Sequence, residues 1–389
     1  MMVLRVTIVA ATAALLAVGP GGAAPPGAGD SRELWQGPVL AGDAVVWGEQ
    51  ADATASLHLW APRGGERVVY SDQRLNLTGT LAASPTRLAF ERSYPSCAPQ
   101  PNVVCPQAQD ALAGPSAGPF TTLAPPRTCS VATIGNELAV DGGVAAYLEP
   151  RCGGDGMRVL VRDVAHHGRS ILLADTAGAG DVAIAGRYVA WSDRRGGDVV
   201  VYDRLARRVS YRARVSPGAA VDVDLGLDVQ RDGKLAVSYR PIEVARAGPT
   251  AVAWLSPSAP RPHVLPLRGS DTRVRIADDR IAFVRFLTAK TSALVVADLA
   301  GRARTVARFV PPVRFRSGFD FDGRAVAWAS DRVTATRVDC PPPGQGRPCV
   351  LRESGLTTIW RRAEPTGGAH VVARLPFVDE IARGGAGSS

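Results

Sequence analysis

Only two lysines, Lys234 and Lys290, stand among the 45 basic residues of this 389-residue chain. With its many Ala, Gly, Pro and Val residues, that skew is the composition of a GC-rich bacterial genome, so the formal charge of +9 is a weak pointer to nucleic acid. The arginines are scattered, and no long basic run with interleaved aromatics marks a strand-binding groove. A solvated basic surface and no nucleic-acid partner are expected. Histidine is also scarce. His58, His166, His167, His263 and His370 fall in expected outer strands or turns, too dispersed for a histidine-rich metal centre. No CxxC, GxSxG, HExxH, P-loop or dinucleotide fingerprint occurs in strand-turn-helix context, so no cofactor, metal or catalytic residue is expected. Asp-Gly repeats such as 141–143 lack EF-type calcium spacing and read as tight turns.

Long apolar runs are missing after the N-terminus. Met1 to Arg5 is basic, Val6 to Val18 apolar and Gly19 to Ala24 rich in small residues, the three-part form of a secretory signal. The apolar part is shorter than the ~20 residues of a spanning helix, and no cysteine follows it. Residues 1–24 are therefore expected to be a signal peptide and 25–32 a linker. The mature protein is expected outside the cytoplasm, without a membrane span and as a monomer. Six cysteines fit an oxidising compartment. Cys97 and Cys105 enclose seven residues, Cys340 and Cys349 enclose eight, and Cys129 and Cys152 lie 23 positions apart. Zinc is the competing reading, but no histidine stands at ligand spacing. Disulfides in these pairs are expected.

What the chain has in abundance is turn residues, 41 Gly and 30 Pro, and a repeat. An apolar strand ends in an aromatic at Trp47, Phe90, Tyr147, Trp191, Tyr239, Phe283 and Trp328, at intervals of 43, 57, 44, 48, 44 and 45 residues. Further apolar strands follow most copies, as in Val199 to Asp203 and 170–175, and another precedes each, as in 182–185 and 274–277. Each unit reads as a four-stranded antiparallel meander of about 45 residues. A lone sheet of this kind exposes two apolar faces, so neighbours must stack and the ring must close. The expected fold is an all-β, seven-bladed propeller over 33–376, with the aromatics in the wedges between blades and a disordered tail over 377–389. Blade one begins with its inner strand and blade seven ends with its outer one, so closure is expected to rest on side-chain packing.

The clearest copies, FDGRAVAWASDR (321–332) and AGRYVAWSDRRGGDVVVYDR (185–204), resemble the TolB-type, WD40-like β-propeller repeat: Asp-Gly, a short apolar strand ending in an aromatic, Ser-Asp, then a strand ending in Asp. IADDRIAF and ALVVADL are weaker matches. The resemblance implies a propeller with an envelope or extracellular interaction role. It transfers no catalytic residue, and the N-terminal domain that accompanies the propeller in TolB is absent from the pattern.

Candidate binding residues lie on the rim expected to carry all six cysteines, since long braced loops on a rigid scaffold often bind ligands. They are Glu49, Glu91, Arg92, Glu149, Arg151, Asp193, Arg194, Arg240, Arg285 and Asp331, mixed acids and arginines able to contact a polar partner. Capping of their own hairpin turns is the competing role. The expected function is a secreted, non-catalytic binding module for an envelope or extracellular protein, peptide or glycan. A polysaccharide lyase or glycoside hydrolase using Glu49, Glu149 and Asp193 is the alternative, and a purely structural surface-layer protein a third.

Overall fold

Short apolar runs bounded by glycine and aspartate turns become strands throughout. The computed structural model describes residues 32–51, 54–73, 76–95, 107–127, 138–151, 156–176, 178–193, 197–215, 223–241, 250–288, 290–340 and 349–383, and all regular structure among them is β-strand. Strands β1 to β4 are Arg32–Ala41, Ala44–Ala51, Thr54–Ala61 and Gly65–Gln73. Strands β5 to β8 are Asn76–Ser84, Arg87–Pro95, Gln107–Pro115 and Thr121–Arg127. Strands β9 to β12 are Leu138–Asp141, Val144–Pro150, Met157–Asp163 and Ile171–Thr176, and β13 to β16 are Ala179–Ala185, Tyr188–Asp193, Asp198–Asp203 and Arg208–Arg214. Strands β17 to β23 are Val223–Val229, Leu235–Pro241, Thr250–Ser256, Ala259–Ala277, Arg280–Thr288, Thr291–Asp298 and Ala303–Phe309. The last four, β24 to β27, are Val313–Phe321, Ala325–Asp339, Cys349–Ala363 and Ala369–Arg383.

These strands pair antiparallel in chain order, and the sheets form a β-propeller. Seven separate four-stranded units were the expectation; the structure has six sheets, five of four strands and one of seven. The difference lies in β20. Its first half pairs with β19 from Ala259 to Gly269 and its second with β21 from Gly269 to Ala277, so one continuous strand is outermost for β17–β19 and innermost for β21–β23.

The repeated aromatics all lie in the wedges between successive layers. Trp47, Phe90, Tyr147, Trp191, Tyr239, Phe283 and Trp328 are buried. Each joins an apolar cluster with the layer that precedes it, and a small residue of that layer's second strand joins it there: Ala89 with Tyr147, Ala146 with Trp191, Ala236 with Phe283 and Ala282 with Trp328. In five of the seven copies an alanine directly precedes the aromatic, and because strand side chains alternate between faces that dipeptide supplies a hollow on one face and a knob on the other; Val46 precedes Trp47 and Ser238 precedes Tyr239. The same contact closes the ring, where Trp47 packs with Ala327.

Both terminal sheets are built from consecutive strands, so among the described residues no exchanged strand latches the ring. Polar contacts add to the packing: Arg316 donates to Glu33 at 3.0 Å and to the Leu34 carbonyl at 3.1 Å. The inner strands approach closely at a bulge in β24, where Gly318 has φ +150° and a Cβ would run into the Gly37 carbonyl. The expected disordered tail from 377 is corrected by β27, which runs to Arg383. Phe377 is 1% exposed, beneath the guanidinium groups of Arg314 and Arg316, and Asp379 pairs with Arg314 at 2.6 Å, so the chain stays in the sheet well past 376.

Around the axis, carboxylates on the innermost strands clasp the next layer. Asp141 accepts the Gly186 N–H at 2.6 Å, Asp228 that of Ile276 at 2.8 Å and Asp320 that of Leu40 at 2.8 Å. Burial pushes the Asp228 carboxyl up to about 6 from an ordinary 3.8; Arg275 and the Ile276 N–H work against that rise, and Asp320 adds to it. The folded protein therefore holds this proton where the unfolded chain has released it, and the group's contribution to stability falls as pH rises through about 6.

Two outcomes follow for unfolding in urea. Trp191→Ala should cost about 3–5 kcal/mol and the hollow-filling Ala146→Leu about 1–3 kcal/mol; a Trp191→Ala loss no larger than that of Val264→Ala, on an exposed outer strand, would contradict the wedge packing. Asp228→Asn should stabilise the fold above pH 6 by up to about 3 kcal/mol and leave it unchanged near pH 4. An equal effect at both pH values would disprove the burial cost.

Candidate functional site

The second strands end on one rim, and there the structure places the predicted charged residues. It does not gather them into a free ring. Glu49, at the end of β2, has a side chain only 1% exposed. Arg32 grips both its oxygens at 2.6 and 2.9 Å, and the Trp47 indole N–H donates to Oε1 at 2.7 Å. Asp331 on β25 is buried too, accepting from the Thr357 hydroxyl at 2.7 Å and from Arg316 at 3.3 Å. Glu91 accepts the Thr80 N–H at 2.9 Å. Arg92 forks onto Asp110 at 2.7 and 3.0 Å and donates to the Tyr70 hydroxyl. Glu149 meets Arg158 at 3.5 Å, and Arg151 pairs with Asp175. Asp193 stands opposite Asp198, Arg240 opposite Asp224, and Arg285 opposite Ala293 in their sheets. Arg194 lies outside the described residues. Sequence spacing locates these positions on the rim, but the partners sit on neighbouring strands, where no local signal names them.

What projects from that rim is an arm. Strand β24 begins at Val313, opposite Arg332, whereas β25 and β26 continue pairing to Asp339 and Val350, and β27 pairs with β26 as far as Arg383. Three strands thus extend beyond the sheet by roughly 20–25 Å at the usual rise per residue. Cys340 and Cys349 form a disulfide at the tip, Cα atoms 4.2 Å apart, as their spacing predicts. Cys97, Cys105, Cys129 and Cys152 lie outside the described residues. Arg332, Arg337, Val338 and Arg352 are exposed along the arm.

A second cluster joins Glu49, His58 and Glu66, whose ligand atoms lie within 4.8 Å of one another. Arg32 already bridges Glu49 and Glu66, the latter at 3.2 Å, and both His58 nitrogens have partners, Ser56 at 2.9 Å and Glu66 at 2.8 Å. His58 also stacks on Trp47. The guanidinium supplies the positive charge a metal would bring, so the cluster reads as a half-buried ion-pair network.

At the opposite rim, where the first hairpins turn, the axis opens into a cavity of about 850 Å³. Its wall has two halves. Ala82, Ala139 and Ala183 line one, and Asp228, Arg275 and Asp320 the other. Arg275 donates to Asp320 at 3.0 Å. Burial alone would lower the Arg275 guanidinium, but Asp320 and Asp228 outweigh it and hold the group above its ordinary value. Sequence reading missed these three residues. Their only signal is a charge inside a first-strand apolar run, as in VRIA and FDF.

No protein-family model matches the chain, and no curated protein matches it by sequence. Among solved structures it is similar to the β-propeller domain of the Trilobed protease from Pyrococcus furiosus, described as having an open velcro topology, at 8% identity over 77% of this chain and 95% of that one, TM-score 0.44. It is similar to Kluyveromyces lactis Hsv2p at 10% identity over 87% and 98% of the two chains, TM-score 0.44. A third likeness is to the Pyrococcus horikoshii acylaminoacyl peptidase, at 9% identity over 83% of this chain and TM-score 0.49; the chain spans 57% of that protein's length. At these identities the likeness is one of fold alone.

Proposed function

We propose that the chain is an exported, seven-bladed propeller of the TolB-type repeat class that acts as a non-catalytic docking module for an envelope or extracellular protein, peptide or glycan. The count of seven is supported by the seven wedge clusters and by the two halves of β20, each completing its own four-strand set. The observation that carries the docking role is the disulfide-tipped arm on the rim, a projecting three-stranded surface larger than the ring needs for closure. A rigid scaffold carrying a braced projection is a common arrangement for recognition. Hydrolytic chemistry is less well supported: Glu49 is neutralised by Arg32, and Glu149 and Asp193 belong to different sheets, on β10 and β14.

Affinity capture from envelope extracts tests the reading, using the mature protein and a variant in which residues 334–354 are replaced by a short turn. The intact protein should recover a specific partner, and the trimmed one should lose it while melting within a few degrees of the parent. Polysaccharide cleavage by the intact protein, with no partner recovered, would overturn the proposal. Mass spectrometry of the exported protein should place its N-terminus near Pro25; an unprocessed Met1 would refute the export reading.

A further inference from the structure

The axial cavity opposes the rest of the molecule in charge. The chain carries a formal +9, yet eight aspartates and three arginines line this cavity, and although Lys234 pairs with Asp232 and Asp279, Arg280 with Asp278 and Arg361 with Asp43, carboxylates remain in excess. Two of the arginines are already engaged. Arg275 is held by Asp320, and Arg231 faces Asp141 at 3.5 Å. Arg324 is exposed, and its backbone N–H donates to Asp322 of the same turn. A concave, low-dielectric surface with surplus carboxylate focuses a negative potential along its axis.

We propose that this cavity binds an organic cation, a primary amine or guanidinium on a short alkyl stem, either as a free small molecule or as a basic side chain of a peptide. The charged half of the wall, Asp228 and Asp320 beside the saturated Arg275, receives the head group. The alanine half, Ala82, Ala139 and Ala183, receives the stem, where apolar burial adds to the charge term. The volume of about 850 Å³ lies within the range of small-molecule sites. A bare metal ion is the poorer fit. Among the described residues the Glu49, His58 and Glu66 group alone converges as metal ligands do, and it lies outside this cavity. The site uses the rim opposite the arm and does not depend on partner docking there.

Calorimetric titration of the mature protein with agmatine at pH 7.5 and low salt tests the proposal, with glutarate and 1-pentanol as controls. Agmatine should bind saturably with one site per chain, and glutarate and pentanol should not. Asp228→Asn should weaken agmatine about tenfold or more. So should Ala139→Leu, which fills the apolar half without changing charge and stands in if the first variant is misfolded by circular dichroism. Affinity should rise as pH passes through about 6, where Asp228 ionises beside Arg275 and Asp320. A capped Gly-Arg-Gly peptide separates the two sources: binding tighter than agmatine assigns a peptide side chain, and weaker binding a free amine. No saturable heat at millimolar agmatine, equal binding by glutarate, or an affinity untouched by both substitutions would overturn it.

Discussion

The structure depends on one contact repeated around the axis, an aromatic side chain from each second strand set against a small residue in the layer before it. A four-stranded meander cannot shield both its faces, so each layer is stable only between two others. The alternation of strand side chains lets a single dipeptide serve both neighbours: Ala146 opens a hollow toward Trp191, while Tyr147 fills the one left by Ala89. Since every layer needs a partner on each side, the chain has to close. The last layer meets the first through the same contact, Ala327 with Trp47.

Closure without an exchanged strand leaves that seam dependent on side chains and on backbone proximity. The apolar cluster of Leu34, Trp47, Ala327, Ile359 and Leu375 spans the seam, and Arg316 and Asp320 add directional bonds to Glu33 and the Leu40 N–H. Gly318 lets the inner strands come near enough for those bonds, since any side chain there would meet the Gly37 carbonyl. The clasp from Asp320 to Leu40 repeats that from Asp228 to Ile276, so the seam uses a device found elsewhere in the ring. A buried carboxylate that accepts a backbone N–H offsets part of its desolvation cost, and it fixes the stagger of one strand against the next.

The wedge aromatics, the strand order and the Cys340–Cys349 bridge were legible in sequence because each has a local signature: a dipeptide, a period and a short spacing. What was not legible depends on the ring. Ser270 to Thr272 looks like a turn, yet the backbone there stays in β20 and merges two units into one sheet. Glu49 looks like a rim charge, and its partner Arg32 lies 17 residues earlier on an adjacent strand. The final strand ran past its expected limit because the glycine-rich ending outweighed a continuing alternation through Leu375 and Phe377. Arg275 and Asp320 are single charges inside short apolar runs, with no local mark of where they point. Only when those strands become innermost does outward mean toward the axis.

The same reasoning explains why the cavity is lopsided. At the axial positions, β17, β20 and β24 carry Asp228, Arg275 and Asp320, whose side chains reach across to stitch their layers together. The matching wall from β5, β9 and β13 carries Ala82, Ala139 and Ala183, which pack into the wedges with the next layer but are too short to fill the axis. Alanine is sufficient there because the wedges behind it are already packed by Tyr147 and Trp191. One half of the ring therefore carries two carboxylate clasps and an arginine at the axis, whereas the other carries the single clasp from Asp141 to Gly186 and leaves space beside its alanines. The charge needed for the clasps is concentrated beside a void, so an open, electronegative axis follows from the way this ring is held together.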